Sequence, residues 1–296
     1  MNFRTEIDLP EKDSDIIRHE SQIWTIGSCF ADNVGDRMLA DGFETEVNPL
    51  GTLYNPLSIL NSVSSLVRGK VYTPADLFLH EGKYRSYDFH SLFSRGSAQD
   101  TADFINGTLE RLRSQFGRLA TLILTFGSAR CFRLKETGQP VANCHKQHPG
   151  LFALDDLTVE VCAEAISETI SLLRRVCPRL TSIILTVSPI RHKAYGLHAD
   201  KLSKATLLLA CDKVISAQGS AASPGTIPPL SYFPSYEIMM DDLRDYRFYA
   251  ADMVHPSEVA VDYIYEKFKQ VYCTDVTRAE AASRLRAFRR TLHRPR

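Results

Sequence analysis

The stretch LATLILTFGSAR, residues 119–130, decides the fold class. Eight uncharged, mostly apolar residues run without interruption and stop at Gly127 and Ser128, which is typical of a strand buried on both faces of a parallel sheet. Further strands are predicted at residues 23–27, 181–187, 43–47 and 231–233. The sequence therefore indicates a buried sheet of several short strands.

Helical patterns lie between these strands. The clearest covers residues 155–176, where apolar residues recur at helical spacing and Pro178 follows. Further helices are predicted at residues 31–40, 56–67, 102–116, 199–217 and 258–272. Because strands alternate with helices, we expect right-handed βαβ units and an α/β fold, a three-layer α/β/α sandwich with a central parallel sheet.

The domain organisation follows from the same pattern. We expect one α/β domain over residues 1–275, followed by a basic C-terminal helix or tail over residues 276–296. Residues 69–100 fit neither period, and we interpret them as an insertion near the site with a small hairpin around Gly82.

The composition of the chain limits the kinds of binding partner and the location that we expect. Lysine plus arginine equals aspartate plus glutamate at 35 each, so no net charge would draw the chain to nucleic acid or to an anionic membrane. The first residues lack the features of a secretory signal, and no apolar run approaches the roughly 20 residues that cross a bilayer. Seven scattered cysteines suit a reducing compartment. We therefore expect a cytoplasmic protein without a nucleic-acid partner or a membrane span; its oligomeric state stays open.

Ser28 directly follows the first strand, at the sheet edge where parallel folds place their ligands. One interpretation is a helix cap, a role that serine often takes. The other is a nucleophile beside helix N–H groups that stabilise an oxyanion. Far along the chain, Asp252 precedes His255 by three residues, so the carboxylate can orient the imidazole as a base for a hydroxyl, although the spacing alone favours a surface pair.

A set of segments makes a family resemblance specific. They are Gly27-Ser28-Cys29-Phe30-Ala31, residues 48–56 (NPLGTLYNP), residues 143–146 (NCHK), residues 188–192 (SPIRH), residues 232–237 (YFPSYE) and residues 252–256 (DMVHP). The chain resembles the GSCFA family, which is placed with the SGNH (GDSL-like) hydrolases and their flavodoxin-like sandwich. The resemblance implies Ser28 as nucleophile, His255 as base and Asp252 as its partner. It also implies Gly51 as a backbone oxyanion donor beside the Ser28 N–H.

One segment departs from the wider SGNH pattern. In those enzymes the strand leads into Gly-x-Asn-Asp, whose asparagine donates to the oxyanion, whereas here Ser128, Ala129 and Arg130 follow Gly127. The loss of such a donor costs about 10²- to 10³-fold in rate. We therefore predict a replacement from Asn143 or His145.

The remaining polar residues are candidates for substrate binding: His145, Lys146, Arg191, His192 and Tyr236. Arg191 and His192 suit a carboxylate, a phosphate or sugar hydroxyls. Arg191 is equally compatible with a structural pair to Glu237 or Asp241, Lys146 has the same ambiguity, and Tyr236 suits the core as well as a cleft wall.

Other chemistries fit the sequence less well. Cys29 adjoins Ser28, but a side chain one position along is expected to point elsewhere, and free cysteine usually packs as a small hydrophobe. Four potential metal-binding residues lack the paired spacing of a zinc site, so we expect neither a metal nor a cofactor; they are Cys131, Cys144, His145 and His148.

The predicted function is a serine-dependent esterase that forms an acyl-enzyme. By analogy with related SGNH enzymes, its substrate would be a carbohydrate ester or another small acyl ester. Two alternatives stay open: an O-acyltransferase acting on a glycan or metabolite, and a non-catalytic binding module that kept the fold.

Overall fold

The computed structural model describes residues 5–9, 16–219 and 230–292. Within these residues the strands are Gln22–Gly27 (β1), Thr45–Val47 (β2), Phe78–His80 (β3), Lys83–Arg85 (β4), Leu119–Phe126 (β5), Arg130–Leu134 (β6), Pro140–Val141 (β7), Phe152–Asp156 (β8), Ser182–Val187 (β9) and Leu230–Tyr232 (β10). The α-helices are Cys29–Ala40 (α1), Pro56–Val67 (α2), Ala98–Ser114 (α3), Val159–Val176 (α4), Leu197–Gly219 (α5), Ser235–Met240 (α6), Glu258–Tyr272 (α7) and Asp275–Leu292 (α8). Short 3₁₀ helices occur at Pro74–Asp76, Ser91–Phe93, Pro149–Leu151, Lys193–Tyr195 and Tyr246–Phe248.

The central sheet has five parallel strands in the order β10-β9-β5-β1-β2. Side chains alternate between its two faces, so that Trp24 and Ile26 pack into one hydrophobic core and Ile23 into the other. The first core is covered by α2, α4 and α5, and the second by α1, α6 and α7. The predicted α/β fold with a central parallel sheet between helix layers is confirmed.

The close packing of β1 on β5 depends on Gly27. Its φ is +148°, and a Cβ placed there would lie 2.0 Å from the carbonyl oxygen of Thr125. Only glycine tolerates both the conformation and the approach. The chain can therefore leave β1 directly into α1 at the carboxyl edge of the sheet.

Two antiparallel units lie outside this sheet. The hairpin of β3 and β4, which turns at Glu81 and Gly82, falls where the insertion was predicted. A three-stranded sheet in the order β7-β6-β8 was not predicted, because its strands are short and charged. Its cross-strand ion pairs join Arg130 to Asp156 and Arg133 to Asp155. Since β8 takes residues that the helical pattern included, α4 begins at Val159 and not at residue 155.

Two further findings concern the cysteines and the length of the helices. All seven cysteines are free thiols. None of the helices formed by the described residues has the length and apolarity needed to cross a membrane.

Candidate active site

Ser28 is the N-cap of α1. Its hydroxyl accepts a hydrogen bond from the Phe30 N–H at 3.3 Å, and its own N–H donates to the Thr125 carbonyl at 3.0 Å. The residue is 1% exposed, and no hydrogen bond in the described part of the chain joins it to His255. The structure therefore shows the helix-cap interpretation and contradicts the expected contact between the Ser28 hydroxyl and the imidazole. The Ser28 N–H is likewise engaged and does not face a substrate.

Cys29, the first residue of α1, occupies the position expected of Ser28. Its Sγ lies 3.7 Å from Nε2 of His255, while Nδ1 of the same ring lies 2.6 Å from Oδ2 of Asp252. An N-cap side chain folds back onto the helix N–H groups, whereas the next side chain projects past the end of the helix. The predicted partnership of Asp252 with His255 is thus present, and the residue that meets the base is a thiol.

The turn around Asp252 fixes the imidazole. Its Oδ1 accepts from the N–H groups of Val254 and His255 at 2.8 and 3.0 Å, and Met253 takes a left-handed conformation. The hydrogen bond from the His255 ring, followed by these two backbone N–H groups, holds the pKa of the Asp252 carboxyl well below its usual range. A carboxylate on Nδ1 retains the proton there, which leaves the Nε2 lone pair directed at the thiol.

The thiol itself is held protonated. Burial, together with the charge of Asp32, raises the pKa of Cys29 to about 11, while the charge of Lys204 and the hydroxyl of Tyr54 act in the opposite direction. At pH 7 roughly one molecule in 10⁴ would carry a thiolate. The sulfur can therefore attack a substrate only if His255 removes its proton during the attack.

An open pocket of about 320 Å³ surrounds this thiol and imidazole. Its lining residues are Cys29, Tyr54, Asn55, Ser128, Arg130, Phe132, Val141, Ile190, Arg191, His192, Tyr195, Val254 and His255. They come from the carboxyl ends of β1, β5 and β9, the start of α2, the small β6-β7-β8 sheet and the loop before α7. Ser28 does not line the pocket.

Comparison with known proteins agrees with the resemblance seen in the sequence. The model of the GSCFA family matches residues 22–268. The chain belongs to the GSCFA family.

Solved structures give only a distant likeness to this GSCFA protein. A carbohydrate esterase family 3 protein from Talaromyces cellulolyticus is 8% identical at a TM-score of 0.37, covering 84% of this chain and 94% of that chain. LAE5, an alpha/beta hydrolase enzyme from the metagenome of Lake Arreo, Spain, is 13% identical at a TM-score of 0.36, covering 86% and 96% respectively. No curated protein matches the chain.

Neither predicted replacement in the oxyanion hole, nor Gly51, reaches the pocket of the GSCFA protein. The Gly51 N–H donates to the Asn48 carbonyl at 2.7 Å inside a turn. The Asn143 side chain accepts from the His145 N–H at 2.7 Å, and neither residue lines the pocket. His145 is 2% exposed, and its ring contacts the Ser86 carbonyl and the Ser91 hydroxyl, so it has a structural role.

The loop after β5 offers no free donor either. The N–H groups of Gly127 and Ser128 both donate to the Tyr54 carbonyl, and that of Ala129 donates to the Ser203 hydroxyl. Two side-chain donors at the thiol come from the residues just before α2: the Tyr54 hydroxyl, which hydrogen-bonds Cys29, and the Asn55 amide. Asn55 caps α2 through Oδ1, and no described residue accepts from its Nδ2. Tyr54 and Asn55 lie inside the family segment NPLGTLYNP, and this segment is the sequence feature that could have pointed to them as donors.

Two of the five predicted substrate-binding residues line the pocket. They are Arg191 and His192, on the loop after β9. Lys146 is exposed away from the pocket, His145 is buried elsewhere, and Tyr236 packs on the core and accepts from Lys201.

Arg191 does not form the predicted alternative pair with an acid. Glu237 instead accepts from the Tyr232 hydroxyl, and Asp241 pairs with Arg244. The guanidinium donates to the Met253 carbonyl at 3.2 Å and stacks on Tyr249, and no carboxylate among the described residues pairs with it. A cation without a paired carboxylate among the described residues thus lies at the pocket.

Asn48 holds the turn that carries Cys29. Its Oδ1 accepts from the Gly27 N–H at 2.8 Å, and its Nδ2 donates to the Asp32 carboxylate at 2.7 Å. Asn48 has a φ of +40°, a strained conformation that asparagine tolerates better than most residues. Asn48 and Cys29 were both within the family segments, but the pattern alone did not show which side chain would meet the base.

Proposed function

We propose that this GSCFA protein is a cysteine-dependent acyl-transfer enzyme acting on ester bonds. The observation that carries the proposal is the alignment of the Cys29 thiol, His255 and Asp252 along one wall of an open pocket, at 3.7 and 2.6 Å. This alignment has the nucleophile, base and orienting group of a hydrolytic triad. The wider placement with the SGNH hydrolases is part of the proposal.

The first half-reaction transfers the acyl group to sulfur. As Sγ bonds to the ester carbonyl carbon, the thiol proton moves to Nε2 of His255 and the carbonyl electrons move onto oxygen. The Tyr54 hydroxyl, the Asn55 amide and the Cys29 N–H at the start of α1 stabilise this oxyanion. When the carbon–oxygen bond breaks, the alkoxide takes the proton from His255 and leaves a thioester on Cys29.

The second half-reaction resolves the thioester. A water gives its proton to His255 and attacks the carbonyl, and the sulfur leaves and regains that proton as the acid is released. If a sugar hydroxyl enters in place of water, the same steps make an O-acyltransferase. Arg191 and His192 contact the substrate in this scheme, and small acyl esters, including carbohydrate esters, are the proposed substrate class.

The proposed nucleophile Cys29 also has a consequence for the cellular location of the enzyme. A nucleophilic thiol stays active only where it is reduced, and Cys29 is a free, half-buried thiol. The proposal therefore retains a cytoplasmic location, in which disulfides are rare.

A second candidate, a binding module without catalysis, is favoured by one observation. The pKa of Cys29 is raised to about 11, so the resting sulfur is a poor nucleophile. In that case the pocket would bind ligand, and His255 would not activate the thiol.

Alkylation by iodoacetamide separates the two candidates, with the modified cysteine identified by peptide mass spectrometry. Cys144 is a matched internal control because it is also a half-buried free thiol whose pKa burial raises to about 11. If His255 activates Cys29, Cys29 reacts at least tenfold faster than Cys144 at pH 7, and His255→Ala removes the difference. Equal rates in the wild-type protein would favour the binding module.

A further inference from the structure

Lys204, on α5, is a fully buried lysine beneath the pocket. The residue is 1% exposed. Its Nζ donates to the carbonyls of Gly127 at 2.6 Å and Ser188 at 2.7 Å, the residues that directly follow β5 and β9. Lysine is almost never buried so completely without a paired charge.

No carboxylate neutralises this cation within ion-pair distance in the described part of the chain. Asp200 lies one helical turn earlier, but its Oδ1 accepts from the His192 N–H at 3.0 Å and its Oδ2 is buried without a hydrogen-bond partner. Burial lowers the pKa of Lys204 to about 8, against the opposing influence of Asp200. Such a costly arrangement is expected where a charge serves the chemistry of the site.

The cation is close to the proposed nucleophile. The carbonyls that it binds lie one residue before Ser128 and two residues before Ile190, and both of these residues line the pocket together with Cys29. The positive charge of Lys204 favours the thiolate of Cys29, whereas the nearby charge of Asp32 disfavours it. The other titratable groups that line the pocket around the thiol are Tyr54, Arg130, Arg191, His192, Tyr195 and His255.

We infer that Lys204 is a positioning residue for the proposed acyl transfer: its two hydrogen bonds fix the loops after β5 and β9, and its charge stabilises negative charge developing on the Cys29 sulfur and the substrate oxygen. The inference rests on the proposed function for its meaning. The test measures the alkylation rate of the Cys29 thiol and requires no turnover. A negative result would therefore overturn the role of Lys204 without contradicting the proposed acyl transfer.

The test compares the rate of Cys29 alkylation by iodoacetamide at pH 7 in wild type and Lys204→Met, with Cys144 in the same sample as reference. Loss of an opposite charge raises a thiol pKa by about one unit or more. We expect the ratio of the Cys29 rate to the Cys144 rate to fall about tenfold. Above pH 8 the difference between the proteins should shrink, because wild-type Lys204 then loses its own proton.

Ser203→Ala is the matched control. Ser203 neighbours Lys204 on α5 and holds the same loop through the Ala129 N–H at 2.7 Å, but it carries no charge. We expect its alkylation ratio to stay at the wild-type value. Lys204→Gln, whose neutral amide N–H groups can still donate to the carbonyls, replaces Lys204→Met if the latter does not fold, as judged by circular dichroism. An unchanged ratio in a folded Lys204 variant, or an equal fall in Ser203→Ala, would overturn the inference.

Discussion

The sulfur of Cys29 lies 3.7 Å from Nε2 of His255 although 226 residues separate them in the chain. The contact forms because Gly27 ends β1 at the sheet edge where the loop carrying Asp252 and His255 also lies. The neighbouring Ser28, whose hydroxyl is the more common type of nucleophile in esterases, caps α1 and is buried inside the protein.

The two adjacent residues should respond differently to removal of their side-chain heteroatoms. Cys29→Ala is expected to lower the turnover of an activated ester such as p-nitrophenyl acetate by about 10⁴-fold or more, as when a triad nucleophile is removed. Ser28→Ala should leave turnover within about tenfold of wild type and lower the free energy of unfolding by about 1 kcal/mol, because it removes a helix cap. Urea unfolding measures the second effect. Loss of activity in a stable, folded Ser28→Ala would contradict the assignment.

Asp252→Asn tests the orientation of the imidazole. The amide can keep the two backbone hydrogen bonds of the turn, but it no longer favours the proton on Nδ1, so turnover should fall by up to about 10⁴-fold with KM little changed. Steady-state kinetics on the same ester gives both constants. Asp241→Asn, at an exposed ion pair with Arg244, should behave as wild type.

Asn55→Ser tests the proposed oxyanion donor. Serine retains a helix cap while losing the amide, so kcat should fall by about 10²- to 10³-fold without a comparable loss of stability. The matched control is Asn143→Ala, at the asparagine that lies outside the pocket, which should retain wild-type kcat. If Asn143→Ala is as slow as Asn55→Ser, the donor has been assigned to the wrong residue.

Arg191 should make the pocket selective for anions. The measured quantity is the rate at which anionic iodoacetate alkylates Cys29 divided by the rate for neutral iodoacetamide. This ratio should be about fivefold lower in Arg191→Gln than in wild type, because one half-exposed charge contributes about 1 kcal/mol. Lys146→Gln removes an exposed lysine outside the pocket and serves as the control. A ratio that is the same in all three proteins would show that Arg191 does not select the ligand.

Folding stability should depend on pH through His145. Burial lowers the pKa of this imidazole to about 4, below the value of about 6.5 in an unfolded chain. The unfolded state therefore binds more protons between pH 6.5 and 4, and stability falls as the pH drops through this window, by about 3 kcal/mol in total. His145→Gln should thus lose less stability than wild type between pH 7 and 4.5, as measured by urea unfolding. Parallel curves would refute the buried neutral histidine.

Most of the sheet could be predicted from the sequence, because β5 and β9 are long, apolar and uncharged, and α2 and α7 carry clear helical periods. The antiparallel β6-β7-β8 sheet could not, because it is stabilised by ion pairs and short strands that leave no apolar alternation.

In the site, the pairing of Asp252 with His255 followed from their spacing, whereas the residue that meets the imidazole did not. Whether the side chain at position 28 or 29 meets His255 depends on where α1 begins. The first residue of a helix can be predicted from sequence only to within one or two residues. The roles of Asn55 and Lys204 depend on packing between distant elements. No local pattern encodes such contacts.

The elevated pKa of Cys29 has a consequence for survival of the protein in air and peroxide. Oxidants attack the thiolate, which is scarce here until His255 accepts a proton. The protonated thiol is therefore resistant to conversion into sulfenic acid, and in the proposed mechanism the sulfur becomes vulnerable only when His255 takes its proton.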